Sequence, residues 1–120
     1  MNLGKTGRLA EDKTAAFLRK QGYKIIKRNY SCRFGEIDII AEYKEYIVFV
    51  EVKARKQEGV VSAAEAVDGF KKQRIMLTAE DYITKTFCDL QPRFDIAEIT
   101  VAKNQNGEET FSLHYKTNVF

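Results

Sequence analysis

The sequence predicts an α/β domain, a mixed sheet with helices packed on it, in the order α-β-β-β-α-β-β. Three observations carry that prediction. Apolar residues recur at helical spacing over 5–21 and again over 70–86. Two strand patterns, at about 34–43 and 46–54, lie back to back around Lys44-Glu45. Two more strand-like runs follow the second helix.

In chain order, Ala10, Thr14, Phe17 and Gln21 form one stripe of the first helix, with Glu11, Ala15 and Leu18 on the adjacent one. Gly22 ends it as a C-cap glycine would. Residues 23–31 read as a strand with imperfect alternation. After the two strong strands, residues 55–62 are polar and glycine-containing and are expected to form a mobile loop. Ser62-Ala63-Ala64-Glu65 has the spacing of a capping box, so a helix is expected to start there, interrupted or re-capped at Asp68-Gly69. Ile75, Ala79, Tyr82 and Ile83 form the stripe of the helix that runs to about Thr86. Arg93 to Val101 is a strand, Asn106-Gly107 a turn, and Phe111, Leu113 and Tyr115 alternate along a last strand.

A chain of 120 residues, 44% hydrophobic and 31% charged, fits one folded domain, residues 1–120. At that length it needs neither disulfides nor a structural metal. The net charge of +3 permits a nucleic-acid partner without requiring one. Cys32, Cys88 and His114 are too few and too scattered for a zinc site. Two cysteines and no leader pattern suit a reducing cytoplasm, and no apolar run approaches the roughly 18 residues of a membrane span. Acid–base chemistry must rest on carboxylates and lysines, with or without a metal.

The segment that carries chemistry is 34–55. A hairpin turning at Lys44-Glu45, or a four-residue loop over Tyr43–Tyr46, sets Tyr43 opposite Tyr46, Glu42 opposite Ile47 and Ile40 opposite Phe49. The same register sets Asp38 opposite Glu51 and Glu36 opposite Lys53. Alternation then puts Ile37, Ile39, Ala41, Val48, Val50 and Val52 on a core face. The other face carries Ile40, Ile47 and Phe49 near the turn, and Glu36, Asp38, Glu51, Lys53 and Arg55 beyond. Opposed like charges destabilise a sheet. Lys53 compensates for part of the Asp38–Glu51 repulsion, and a hard divalent cation would supply the rest. The plainer alternative is an exposed strand face with an ordinary Glu–Lys ladder.

Asp38, with Glu51-Val52-Lys53 thirteen residues on, resembles the PD-(D/E)xK nuclease signature. The wider set is more specific: Gly7-x-x-Ala10-Glu11-Asp12, Gly22-Tyr23, Arg28-Asn29, Gly35-Glu36-Ile37-Asp38, Phe49-Val50-Glu51-Val52-Lys53, Glu65-Ala66-Val67, Lys72-Gln73 and Arg93-Phe94-Asp95. Together they resemble the YraN family of small bacterial proteins, from about Gly7 to about Val101. Ile37 stands where the signature's name has proline, and Ala10 where glycine is expected.

The resemblance implies a restriction-endonuclease-like fold, akin to Holliday junction resolvases. It implies Mg²⁺- or Mn²⁺-dependent hydrolysis of phosphodiester bonds in DNA, with branched or structured DNA as the expected substrate. Asp38, Glu51 and the Val52 carbonyl would hold the metal, and Lys53 would orient the water or stabilise developing charge. Glu11 would complete the cluster as an outer or second ligand; alternatively it is a first-turn carboxylate favoured by the helix dipole. Lys72 and Gln73 would lie near the site, Glu36 faces it by alternation, and Arg55 is among the cations placed to contact phosphate, with Arg28, Arg33, Lys56, Lys71 and Arg74. Tyr23, Tyr30 and Phe34 are available for stacking, while Tyr82, Phe87, Phe94 and Phe111 read as core, and Asp95 as structural. A homodimer would give so small a domain enough surface to grip a duplex. The rival readings are a non-catalytic nucleic-acid-binding module and an accessory protein that keep the fold.

Overall fold

The computed structural model describes residues 5–56 and 69–120. Its elements are α1 (Lys5–Lys20), β1 (Lys24–Cys32), β2 (Gly35–Tyr43), β3 (Tyr46–Lys56), α2 (Gly69–Thr86), β4 (Gln91–Lys103) and β5 (Glu109–Lys116), the order expected from the sequence. The five strands form one sheet in sequence order. β3 and β4 run parallel, joined through α2; the other neighbours are antiparallel.

α1 ends as its sequence requires. Gly22 adopts φ +93°, which only glycine takes without strain. The Gly22 N–H donates to the Arg19 carbonyl and the Tyr23 N–H to the Leu18 carbonyl, the paired bonds of a Schellman cap. The helix buries Ala15 and Leu18 against Ile39, Ala41, Val48 and Val50 on one face of the sheet. α2 covers the other face, where Ile75, Ala79 and Tyr82 meet Ile40, Ile47 and Phe49. β3 is therefore sandwiched between layers, which accounts for its nearly unbroken apolar run from Ile47 to Val50.

The β2–β3 hairpin has the register read from the sequence, from Tyr43 opposite Tyr46 to Ile39 opposite Val50. There the paired ladder stops. Asp38 does not sit across from Glu51 in a continuing ladder, nor Glu36 from Lys53. Instead the Asp38 carboxylate accepts the Val52 N–H at 2.8 Å. The two strands fork at this point, and the strict alternation expected for the face fails with it. Ile37 packs with Ile40 and the α2 cluster, not with Ile39.

Four other expectations are corrected. Arg55 and Lys56, expected in the loop, belong to β3, paired with Thr100 and Val101; the rest of the expected loop and the capping box at 62–65 lie outside the described residues. Phe87 is 91% exposed, because it follows the end of α2 instead of lying under it. Tyr23 is buried in a stack on Tyr43 and offers no free ring. Glu11 lies past the first turn of α1, which starts at Lys5, so the helix dipole is not what places it there.

Candidate active site

The fork between β2 and β3 opens a cavity of about 790 Å³, walled by α1, β1 and the start of α2. Asp38 lies on its β2 side. Glu51, Val52 and Lys53 line the β3 side, and Glu11 reaches it from α1. Opposite Asp38 in the β1–β2 register stands Asn29, between the pairs Arg28–Ile39 and Tyr30–Ile37. Asn29 takes φ +55°, a left-handed conformation that asparagine tolerates better than most residues. Asp38 is thus outside the strand pairing on both sides, and its carboxylate lines the cavity, held by the Val52 amide.

The electrostatics follow from crowding three carboxylates in a half-buried place. Burial pushes the Asp38 carboxyl up to about 8, with a hydrogen bond and like charge from Glu51 adding to the shift; the Val52 N–H and Lys53 oppose it. Glu11 is raised by burial and then by Asp38, with Arg28 pulling the other way. Burial, followed by neighbouring Lys71, holds the Lys53 ammonium below its usual range, against the attraction of Glu51 and Asp38.

Among the described residues, four cations line the cavity with the acids, Arg8, Arg28, Lys53 and Lys71. Lys71 Nζ lies 3.6 Å from Glu51 Oε2. Arg28 Nη2 donates to Asp12 Oδ1 at 2.7 Å and sits 3.6 Å from Glu11 Oε1. The Arg28 Nε is buried without a hydrogen-bond partner among the described residues. Lys53 completes the set from β3.

Of the residues picked out in the sequence, Glu11, Glu36, Asp38, Glu51, Val52 and Lys53 come together at this cavity. Lys72 and Gln73 do not line it. Lys72 lies over the Phe120 ring, 5.2 Å from its centroid, and Gln73 is exposed. Lys71, one residue earlier, is the α2 side chain that reaches Glu51. Arg55 is half-buried two residues beyond Lys53. Sequence reasoning assigned no role to Asn29 and placed Lys71 only among phosphate contacts. For Asn29 a signal existed, since asparagine inside a strand pattern marks a backbone break. For Lys71 there was none, because which α2 residue meets β3 depends on how the helix is docked.

Among the described residues, no group of three or more His, Cys, Asp or Glu side chains is placed to hold a metal ion together, so Glu11 does not close a three-carboxylate set with Asp38 and Glu51. Asp38 and Glu51 nevertheless fit a hard cation. They are two neighbouring carboxyl groups, and burial together with Glu51 beside it opposes ionisation of Asp38; a cation would reverse that, and Mg²⁺ is typically held by one or two carboxylates while keeping several waters.

A family model described as "Uncharacterised protein family UPF0102" matches residues 10–99. The chain belongs to the UPF0102 family. This is the YraN family whose residues are quoted above. A UPF0102 protein of Caldanaerobacter subterraneus subsp. tengcongensis is 46% identical over 100 residues, 82% of each chain. One of Hahella chejuensis is 44% identical over 91 residues, 75% of this chain and 73% of its own. One of Clostridium acetobutylicum is 39% identical over 117 residues, covering 97% and 93%. The region matched by the UPF0102 model takes in Glu11, Asn29, Asp38, Glu51 to Lys53 and Asp95, and ends within β4.

Proposed function

We propose that this UPF0102 protein is a metal-dependent nuclease that hydrolyses phosphodiester bonds of DNA, branched or otherwise structured DNA being the substrate class. One observation carries the reading: Asp38, Glu51 and Lys53 meet where β2 and β3 part, with Glu11 across the same cavity. Asp38 and Glu51 would hold Mg²⁺ or Mn²⁺. The Val52 carbonyl would join them as a third oxygen, since in extended backbone a residue's C=O points to the same edge as its N–H, and the Val52 N–H faces Asp38. A divalent cation there would lower the pKa of a bound water and neutralise charge on the phosphate.

The chain's own groups do the rest. The Val52 amide fixes the Asp38 carboxylate, so the acid is aimed before substrate arrives. Lys53, beside both acids, orients the attacking water or neutralises charge developing on a phosphate oxygen. Arg28 pairs with Glu11 through its Nη2 and offsets the negative charge of the acids. The test is a panel of hairpins, flaps, four-way junctions, duplexes and single strands, assayed in Mg²⁺ or Mn²⁺ with EDTA controls. Cleavage of at least one substrate, abolished by EDTA and by Glu51→Ala, supports the proposal. Salt-sensitive binding without cleavage would favour a non-catalytic binding module, and neither would favour an accessory protein.

A stability measurement checks the metal separately. Asp38→Asn replaces a carboxyl whose ionisation is opposed by burial and by Glu51, and keeps an oxygen to accept the Val52 N–H. In EDTA its melting temperature should match or exceed that of the wild type. Mn²⁺ at about 100 times its Kd should stabilise the wild type by about 2.7 kcal/mol, a gain the variant should lose. Thermal shift assays read both; a wild type indifferent to Mn²⁺ would argue against the ligand pair.

A further inference from the structure

Beside the carboxylate cavity lies a second one of about 420 Å³, formed by the start of β2 and the first turns of α2. The two share Glu36, Glu51 and Lys71, so they form one groove. The chemistry changes along it. The first cavity gathers acids and cations; the second keeps Glu36, Glu51 and Lys71 and adds Arg74 and the Phe70 ring, which is 73% exposed. Arg74 is held in place by its Nε, which donates to the Phe34 carbonyl at 3.3 Å. Gly35, at φ +147°, keeps the floor free of a side chain beside Arg74.

An exposed phenylalanine next to a guanidinium, on a bare floor, fits a planar aromatic group bearing an anion. A cavity near 420 Å³ is within the roughly 300–1,000 Å³ that small ligands fill. We propose that this groove takes one unpaired nucleotide of a nucleic-acid strand, its base stacked on Phe70 and its phosphate on Arg74 and Lys71. The inference rests on the nuclease reading, which it deepens by naming what lies next to the scissile bond. Stacking decides between strand forms: a base inside a duplex has both faces covered, whereas an unpaired base offers a face to an aromatic side chain. Glu36, on the same wall, can accept from an exocyclic amine, as carboxylates do from cytosine. The strand would then run from Phe70 past Lys71 to Asp38 and Glu51, as it would at a frayed end or a branch.

The experiment compares binding of labelled phosphorothioate 12-mers, which resist hydrolysis, as single-stranded DNA, single-stranded RNA and blunt duplex, at low salt in Mg²⁺. Phe70→Ala should weaken single-strand binding about tenfold, the scale of one base–aromatic stack, and leave duplex binding within about twofold. Phe70→Tyr should retain binding and Phe70→Leu should not. Because Phe70 is exposed, these variants keep the fold. The DNA and RNA arms show which sugar the groove accepts, and tight binding of either supports it. Equal losses on single strand and duplex, or no loss, overturn the groove; the nuclease reading is then judged separately by Glu51→Ala cleavage. Phe70-dependent single-strand binding by a protein that cleaves nothing supports the groove and overturns the nuclease. A wild type that binds no nucleic acid overturns both.

Discussion

Glu51→Ala is expected to lower cleavage of the best substrate about a thousandfold, the several kcal/mol that a bound metal contributes to phosphoryl chemistry. Glu51 is on the central strand, lies beside Asp38 and is reached by Lys71, so its loss removes half of the proposed ligand pair and breaks the Lys71–Glu51 ion pair. Lys53→Ala should lose roughly 10²- to 10⁴-fold, as for a positioned proton-transfer group, yet still bind Mn²⁺, because a lysine is not a ligand. Single-turnover cleavage with purified variants, alongside Mn²⁺ titration followed by melting temperature, separates the two roles. Glu11→Ala should do less harm than Glu51→Ala if Glu11 is an outer ligand, and equal harm if it holds a second metal. Cleavage unchanged in Glu51→Ala would identify a contaminant and refute the mechanism.

The largest effect on stability is expected at the far side of the sheet, from Asp95→Ala. Asp95 is 2% exposed and accepts four groups: Arg93 through Nε at 3.1 Å and Nη2 at 2.8 Å, the Tyr115 hydroxyl at 2.6 Å and the Asn118 N–H at 2.9 Å. Arg93 in turn lies over the rings of Tyr23, Tyr43 and Tyr46. Burial works against the Arg93 charge, but hydrogen bonds to Asp95 and Tyr23 outweigh it and raise its pKa above the usual value. Burial and the Asp95 bond likewise hold the Tyr115 hydroxyl protonated well above the normal phenol range. Removing Asp95 leaves a guanidinium enclosed and uncompensated, at a cost of about 3–5 kcal/mol. Urea unfolding should show a lower midpoint with an unchanged slope. Arg93→Met combined with Asp95→Leu should recover part of the loss, because it is the lone charge, more than the missing pair, that destabilises.

This network lies outside the carboxylate cavity, and it explains a sequence feature that chemistry does not. Arg93 and Asp95 are two apart on β4, so they share a face, and the β3–β4 register puts them beside Val48 and Val50 under the α1 layer. A charged pair on a core face is costly unless its hydrogen bonds are satisfied. Tyr23 from the end of α1, Tyr115 from β5 and the segment after β5 satisfy them. The cluster therefore ties the first and last parts of the chain to the central strands, and structural reading of Asp95 follows from its partners.

The elements, their order and the β2–β3 register were all legible in the sequence, because each depends on residues close together in the chain. Helical spacing marked α1 and α2, Gly22 marked the stop of α1, and a two-residue turn at Lys44-Glu45 forces Tyr43 against Tyr46 and every pair up to Ile39 and Val50. The acids and Lys53 could also be placed on neighbouring strands by that register. The tertiary structure decided what happens past Ile39, where alternation predicted continued pairing. There Asp38 exchanges a ladder position for the Val52 amide, Ile37 turns to the α2 layer, and Asn29 breaks β1 with a left-handed backbone. A fork is a compromise between two helices docked on opposite faces of one sheet, and no local pattern encodes where their demands conflict. The same holds for Lys71 at Glu51 and Phe70 at the lip of the groove. Which residue of α2 meets β3 is set by the helix's rotation and height on the sheet, and those are fixed by Ile75, Ala79 and Tyr82 packing against Ile37, Ile40, Ile47 and Phe49, partners that come from strands distant in sequence.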